Sequence, residues 1–573
     1  MEPVSQRRWR VNNPDNTVTK RLTQEMGISP LVAMLLVNRG LSEPSAAARF
    51  LSSTLAELHD PYLLLGMDRA IDRLAVAVAK RERVCVYGDY DVDGISAVAL
   101  LISFFRTIGL DCFYHIPKRL EAGYGLSLEG VENIALQGAN VIVTVDCGIT
   151  ANDESRLCSS LGIDLIITDH HTPGAEIPSA CAVINPHQPA CPFPFKSLAG
   201  VGVAFNLMIA FRSRLRKDGH FDGGGEPNLR EYLDLVALGT IADVVPLLDE
   251  NRIFVKYGLA ELTQSVRVGV QALKSVAGVS GQVSCGAVGF RLAPRLNAAG
   301  RLEDAALGVE LLLCDDRGKA AEIAARLDAS NSERQELEKE ILRDALAKVK
   351  GSARFAHRKS IVLASSEWHP GVIGIVASRI VDLFHRPTIL IALQNGSGRG
   401  SGRSIPRFHL HDALNACSEH LLKFGGHKYA AGLSVDEAIL ETFVERFDEV
   451  AQGLLGDSDL TPELVIDGEL GAEEPTLELA ELIEQLSPFG VGNPEPVFLL
   501  RRGALVDRQI VKEHHLKLRI SAGGRVLDAI GFNMAQGKAL PTTFDIAFSL
   551  ESNRWNGRQR LQLKLRDFRE AAE

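Results

Sequence analysis

Between residues 84 and 184, short apolar, β-rich runs alternate with helix-compatible segments, and this alternation restricts the chain more than any other feature. The runs are 84 to 87 (VCVY), 111 to 116 (DCFYHI), 141 to 145 (VIVTV), 164 to 168 (DLIIT) and 181 to 184 (CAVI). The segments between them include 94 to 108, 128 to 137 and 151 to 160. Such a pattern predicts βαβ units and a parallel sheet covered on both faces. Chemistry on a sheet of this kind gathers at the carboxyl ends of its strands. There the sequence concentrates acid. VCVY runs into Asp89, Asp91 and Asp93, VIVTV into Asp146, and DLIIT into Asp169, His170 and His171, while Asp243 follows the apolar stretch "LVALGTIADVVPL".

Carboxylates crowded in this way repel one another unless a cation sits among them or some take up protons. Oxygen and imidazole donors arriving together suit Mn²⁺ or Mg²⁺, and with no thiolate offered zinc fits less well. Blander readings exist for each part. The sextet Asp89 to Gly94 resembles the start of an EF-hand loop, but position twelve, where a bidentate Glu is needed, is Leu100. Asp146 alone could cap the following helix, and His170 with His171 could be a solvated turn. Convergence at one sheet edge favours the metal reading over independent caps.

Charge is unevenly spread. The chain of 573 residues has a formal charge of -10, yet Asp436 to Glu484 holds sixteen acidic residues against the single Arg446. Residues 497 to 573 carry fourteen Lys/Arg and eight Asp/Glu, a local excess suited to a polyanion, or simply a solvated basic face. Nine cysteines are scattered without a CxxC pair, which argues against a disulfide framework or a structural zinc site. With no signal-peptide pattern and no long apolar run, the expectation is a cytoplasmic protein with no membrane segment. No GxxxxGK[ST] or HExxH motif supports an ATP-driven motor or a zinc protease.

"GDYDVDG", "VDCGIT", "TDHH" and "GTIADVVPL" resemble the four ordered motifs of the DHH phosphoesterases. The resemblance extends through "IPKRLEAGYGL", "RLAPRLNAAGRL", "WHPGVIGIVASR", "GSGRGSGRS", "GGHKYAAGLS" and "SPFGVGNPEPVF", which in this order are similar to the branch that degrades single-stranded DNA from the 5′ end. It implies an α/β protein: a parallel-sheet DHH domain (76–315) and a smaller α/β DHHA1 domain (351–460) joined by a long helix (316–350). A helical extension (1–75) would precede them, and a region containing a C-terminal β-barrel of the OB-fold type (461–573) would follow. The stretch 317 to 349 has no Pro and suits that helix, and "LKLRIS", "DIAFSLES" and "RLQLKLRDF" suit barrel strands.

By the same resemblance, two divalent ions would be held by Asp89, Asp91, Asp93, Asp146, His170 and Asp243, with His171 a ligand or orienting donor. Tyr87 stands where the family's pyrophosphatase branch has a metal-binding His, which leaves Asp89 as the substitute. Arg119, Arg301, Ser401 and Arg403 would grip a 5′-terminal phosphate, with "GSGRGSGRS" supplying clustered backbone N–H groups. That stretch could instead be a flexible linker. His427 would bind the phosphodiester or simply pack. Tyr124, Trp368, Phe408 and Trp555 are candidates for stacking on bases, set against ordinary core packing. The implied activity is a metal-dependent exonuclease on single-stranded DNA in repair and recombination, with a single-strand-binding protein and a helicase as partners. Two rivals stay open: a DHH phosphodiesterase for a cyclic dinucleotide or short RNA, and a DNA-binding relative without catalysis.

Overall fold

The computed structural model describes residues 7–117, 125–535, 540–555 and 558–571; the side chains of 553–558 lie outside the description. In chain order the strands begin with β1 (Arg8–Val11), which sits at the C-terminal barrel. Five more form the first sheet: β2 (Val84–Gly88), β3 (Cys112–His115), β4 (Val141–Val145), β5 (Asp164–Thr168) and β6 (Ala182–Ile184). They run parallel in the order β3-β2-β4-β5-β6. Side chains of a strand alternate between faces. Val84, Val86, Val141, Val143 and Ile166 accordingly join one core, and Cys85, Tyr87, Ile142, Leu165 and Ile167 the other.

The first core is built on the helix Val92–Thr107, which is apolar on nearly every side and buried because the helices Gly200–Lys217 and Leu233–Ala242 pack around it. The helix Arg317–Gly351 begins at Asp316, whose carboxylate accepts from Lys319 N at 2.7 Å. At 35 residues it spans about 50 Å. Its first half buries Ala320, Ala324 and Leu327 in the first lobe, and its second half Ile341, Ala345 and Val349 in the next. The buried positions between them are Ser330, Asn331, Arg334 and Glu338.

The second lobe is a mixed sheet of β7 (Ile361–Ser365), β8 (Thr388–Gln394), β9 (Ser397–Arg403), β10 (Lys423–Gly426) and β11 (Ala430–Asp436), in the order β10-β11-β9-β8-β7. Trp368 and Phe408 are buried here, at 3% and 0% exposure, and the Trp368 indole donates to Asp344 on the connecting helix. Of the two readings open for them, base stacking and core packing, the second holds: both are core side chains.

β12 (Glu463–Ile466) and β13 (Gly468–Glu469) lead to β14 (Phe498–Val511), β15 (His515–Ala522), β16 (Arg525–Gly531), β17 (Thr543–Trp555) and β18 (Arg558–Glu570). The last five close into a barrel through β14–β17 pairing, as an OB-fold requires. The helices Asn16–Met26, Pro30–Asn38 and Pro44–Ser52 share its core: Leu22, Val32, Leu36 and Phe50 cluster with Phe498, Leu518 and Phe544. β1 pairs in parallel with β12 across 455 residues of sequence. Buried Arg252 stacks on Phe50 and donates to the carbonyls of Phe50, Leu486 and Pro488, tying the N-terminal helices, the first lobe and the approach to the barrel together. The cysteines are all free, and among the described residues no helix is long and apolar enough to cross a membrane.

Candidate active site

The acidic residues meet because three neighbouring parallel strands end at one edge. Asp89 follows β2, and Asp91 caps the helix Val92–Thr107 by accepting from the N–H groups of Asp93 and Gly94 at 2.9 and 3.2 Å. Asp93, in the first helical turn, accepts from Gly200 N at 2.6 Å and Val201 N at 2.9 Å at the start of the helix Gly200–Lys217. Asp146 follows β4 with φ at 61°, a left-handed backbone that non-glycine residues seldom adopt. After β5, Asp169 accepts from the N–H groups of Ile149, His170 and His171 and from the His171 ring, at 2.7 to 3.0 Å. Asp243 ends a helix, Leu233–Ala242, rather than a strand.

His170 is the hub. Its Nε2 lies 3.1 Å from Asp146 Oδ1, 3.6 Å from Asp243 Oδ2 and 4.0 Å from Asp93 Oδ2. Among the described residues, three groups have ligand atoms that fall within 4.8 Å of one another: Asp146, His170 and His171; Asp93, His170 and Asp243; Asp89, Asp91 and Asp146. Asp146 and His170 each belong to two of them. Tyr87 points elsewhere, donating to the Gly125 carbonyl at 3.1 Å from full burial.

Electrostatics follow from this crowding. Burial, reinforced by the charge of Asp91, pushes the Asp93 carboxyl up to about 7. Asp146 and Asp243 are driven well above the ordinary carboxylate range by burial and then by their acidic neighbours. Burial and the charge of His171 lower His170 to about 3, leaving a neutral imidazole whose lone pair can bind a cation. Burial would depress His171, but its hydrogen bond to Asp169 and that carboxylate's charge raise it instead. The Cys147 thiol, next to Asp146, is pushed far up by burial and offers no thiolate. Asp243 Oδ2 is buried without a hydrogen bond among the described residues. A buried carboxylate oxygen in that state, among hard oxygen and imidazole donors, fits a divalent metal such as Mn²⁺ or Mg²⁺.

Glycines make the crowding possible. A Cβ at Gly200 would lie 2.7 Å from Asp146 Cβ and Oδ1, and one at Gly239 would lie 2.8 Å from Asp93 Oδ1. Sequence reading took Gly239 for a hinge, whereas it lies inside the helix Leu233–Ala242, and assigned no role to Gly200 or to Asn297, which accepts from Val92 N at 3.2 Å and so braces the acidic loop.

The anion-binding candidates gather between the lobes. Arg301, Ser401 and Arg403 line a cavity of about 210 Å³ together with Pro370, Gly371 and Gly374 at the start of the helix Ile373–Phe384. Arg301 reaches across to donate to the Gly371 carbonyl at 2.9 Å, and Arg403 donates to Ser401 Oγ at 3.2 Å. Small residues ahead of an apolar helix in "WHPGVIGIVASR" were the available signal for this wall, because a helix N-terminus favours an anion. The His427 ring lies 6.3 Å from that of His171, so the second lobe faces the metal-suited cluster directly. Arg119 and Tyr124 fall outside the described residues, as does the side chain of Trp555.

One expectation is overturned. "GSGRGSGRS" is neither a linker nor a nest of backbone N–H groups, because seven of its residues form β9, paired on one side with β8 and on the other with β11. Its backbone donors serve those ladders. The glycines lie on the face packed by Ile391, Val435, Leu433 and Leu410, where Cβ atoms at 398, 400 and 402 would meet side chains at 2.6, 2.7 and 2.9 Å. Ser401 and Arg403, on the opposite face, reach the cavity as side chains.

Family descriptions match the chain in the same order as the lobes: "DHH family, N-terminal domain" over residues 83–240, "DHHA1 domain" over 357–453 and "RecJ OB domain" over 466–567. Fold and site thus define a DHH phosphoesterase class protein. The single-stranded-DNA-specific exonuclease RecJ of Bacillus subtilis is 38% identical over 98% of this chain and 71% of that protein. The crystal structure of Thermus thermophilus RecJ with Mn²⁺ superposes with a TM-score of 0.83 at 35% identity, covering 99% of this chain and 80% of that one. Its Mg²⁺ complex gives 0.78 at 32% identity, covering 99% and 79%. The chain belongs to the RecJ family.

Proposed function

We propose that the protein is a metal-dependent exonuclease that hydrolyses single-stranded DNA from the 5′ end, and that it works in DNA repair and recombination. The observation that carries this reading is the facing arrangement of two sites. A cluster of carboxylates and imidazoles suited to two cations lies across from His427, and a cavity lined by Arg301, Ser401 and Arg403 lies between the same two lobes.

Asp89, Asp91, Asp93, Asp146, His170 and Asp243 would hold the ions, with Asp146 and His170 shared between groups. Such ions supply charge neutralisation and an activated water for in-line attack at phosphorus. His171, fixed by Asp169 and by the bond from Asn185 Nδ2 to its carbonyl at 2.9 Å, presents its ring toward the second lobe and keeps the cluster oriented. Arg301 and Arg403 would bind the terminal phosphate, since guanidinium groups pair well with its oxygens. His427 would hold the neighbouring phosphodiester. Seating the 5′ end against Arg301, Ser401 and Arg403 in this cavity would stop the strand and fix which bond meets the cluster, and that would be the basis of the polarity.

The basic closed barrel supports a long strand as substrate. It has little use in an enzyme for cyclic dinucleotides, and the intact acidic set argues against a relative without catalysis. Partnership with a single-strand-binding protein and a helicase belongs to this reading, as does a cytoplasmic setting. The experiment is digestion of 5′-phosphorylated, 5′-hydroxyl and duplex DNA with Mn²⁺ by the wild type and Asp146→Ala. The expected result is mononucleotides released from the 5′ end of single strands by the wild type alone. Release from the 3′ end, or undiminished cleavage by folded Asp146→Ala, would sink the proposal.

A further inference from the structure

We infer that Glu303 and Glu338 are positioning residues that set the width of the cavity between the lobes by anchoring both of its walls to the connecting helix. This deepens the reading of that cavity as the seat of the 5′ phosphate, and rests on it.

One wall is the end of the helix Ala293–Leu302, whose last turn carries Arg301. At Glu303 the chain leaves the helix, with φ at -135° and ψ at -126°. Its two carboxylate oxygens are then taken up separately by the connecting helix: Oε1 accepts from Ser330 Oγ at 2.6 Å and Oε2 from Arg326 Nε at 2.8 Å. Arg301 is therefore two residues from a two-point attachment.

The opposite wall is the first turn of the helix Ile373–Phe384. A Cβ at Gly374 would lie 2.7 Å from Ser401 Oγ and 3.1 Å from Arg403 Nη2, so this turn rests directly against the anion-binding side chains of β9. From the same helix Arg379 Nε donates to Glu338 Oε1 at 3.0 Å. Glu338 Oε2 accepts from Arg334 Nη1 at 2.6 Å, and Arg334 Nη2 donates to Asn331 Oδ1 at 2.8 Å. Glu338 and Arg334 are nine-tenths buried.

Both walls thus hang from the polar middle of one helix, at Ser330 and Glu338, eight residues and about 12 Å apart, with the outer partners Arg326 and Arg379 more than half exposed. The location matters. Apolar contacts are non-directional and tolerate sliding, whereas hydrogen bonds hold both distance and angle. Burying polar groups costs free energy unless they are satisfied, so polar residues here cost stability that apolar ones would supply. The return is a fixed span between Arg301 and the pair Ser401 and Arg403.

The test uses the full chain with Mn²⁺ and compares the wild type with Glu303→Gln, Glu338→Gln and the double variant. KM and kcat are measured on one oligodeoxynucleotide bearing either a 5′ phosphate or a 5′ hydroxyl. A displacement near 1 Å should raise KM for the phosphorylated strand about tenfold or more, with kcat within about threefold. KM for the hydroxyl strand and the calorimetric affinity for Mn²⁺ should barely move. Equal losses on both strands, or no change on either, would overturn the inference. Should a Gln variant fail to fold, Ser330→Ala removes one hydroxyl and reads the same ratio. A wild type indifferent to the 5′ phosphate overturns the cavity reading together with this proposal, while a discriminating wild type with unchanged variants overturns this proposal alone.

Discussion

At Asp146 a left-handed backbone, costing a non-glycine residue about 1 to 3 kcal/mol, coincides with full burial among other acids. Stability alone would favour an uncharged side chain of the same shape there. Asp146→Asn keeps the shape and removes the charge. It should leave the melting temperature of the metal-free protein equal or higher, abolish the rise caused by Mn²⁺, and reduce hydrolysis at least about a hundredfold, as loss of a metal-holding group does. Calorimetry with and without Mn²⁺ checks the first two, and a rise retained at wild-type size would count against the cluster.

The same crowding fixes the sign of a pH effect. Asp93, Asp146, Asp243 and His171 have folded-state values above their ordinary ones, so their contributions are fullest at low pH and are lost as pH rises through those values. His170, held down to about 3, acts oppositely but only below its ordinary 6.5. Above about pH 6.5 every one of these shifts points the same way. Protein stripped with a chelator should therefore melt at falling temperature between about pH 6.5 and 8.5, and Mn²⁺ should stabilise it more at the upper end. Gly200→Ala offers a steric check: its Cβ would press on Asp146, with an expected cost of about 1 to 3 kcal/mol by denaturant titration and a matching loss of activity. The grouping of the aspartates after β2, β4 and β5 with His170 and His171 was legible in the sequence because strand ends are predictable from period, whereas Asp243 arrives from a helix end. The glycines that admit them were not, since contacts spanning 54 residues leave no local mark.

Among the elements, β9 was the hardest to read. Its composition is that of a linker, yet it pairs on both sides in the middle of a sheet. The informative feature was strict alternation, Gly398, Gly400 and Gly402 against Arg399, Ser401 and Arg403. A period of two identifies a strand even when one face carries no side chains. On that face the side chains of Leu433 and Leu410 occupy the space left by the glycines. Gly400→Val should lower stability by about 1 to 3 kcal/mol and loosen the second lobe, which amide exchange in β8 and β11 would register as faster rates. Unchanged protection would mean the face is not close-packed. Trp368 and Phe408 left two readings open, because an aromatic beside a functional motif looks the same in sequence whether it faces solvent or a core.

For the whole molecule, the order of lobes was readable from motifs, but the destination of the first fifty residues was not. Two of their helices are ordinary amphipathic ones and Pro30–Asn38 is apolar nearly throughout, patterns that name no partner, and the partner is the barrel near the other end of the chain. Removing residues 497–573 to test the barrel's role would therefore uncover Leu22, Val32, Leu36 and Phe50 and leave the carbonyl ligands of Arg252 rearranged. Such a truncation should aggregate, as light scattering would show, whereas point changes of basic residues on the exposed barrel surface, such as Lys517 and Arg519, should weaken strand binding while the melting temperature holds.

The pairing of β1 with β12 also has a temporal side. During synthesis at roughly 5 to 20 residues per second, the leading segment emerges some 20 to 90 seconds before the region that will cover it. Its leucines must wait on the ribosome's timetable in the company of water or of a chaperone, so a segment made well ahead of its partner finds its place only when that partner arrives.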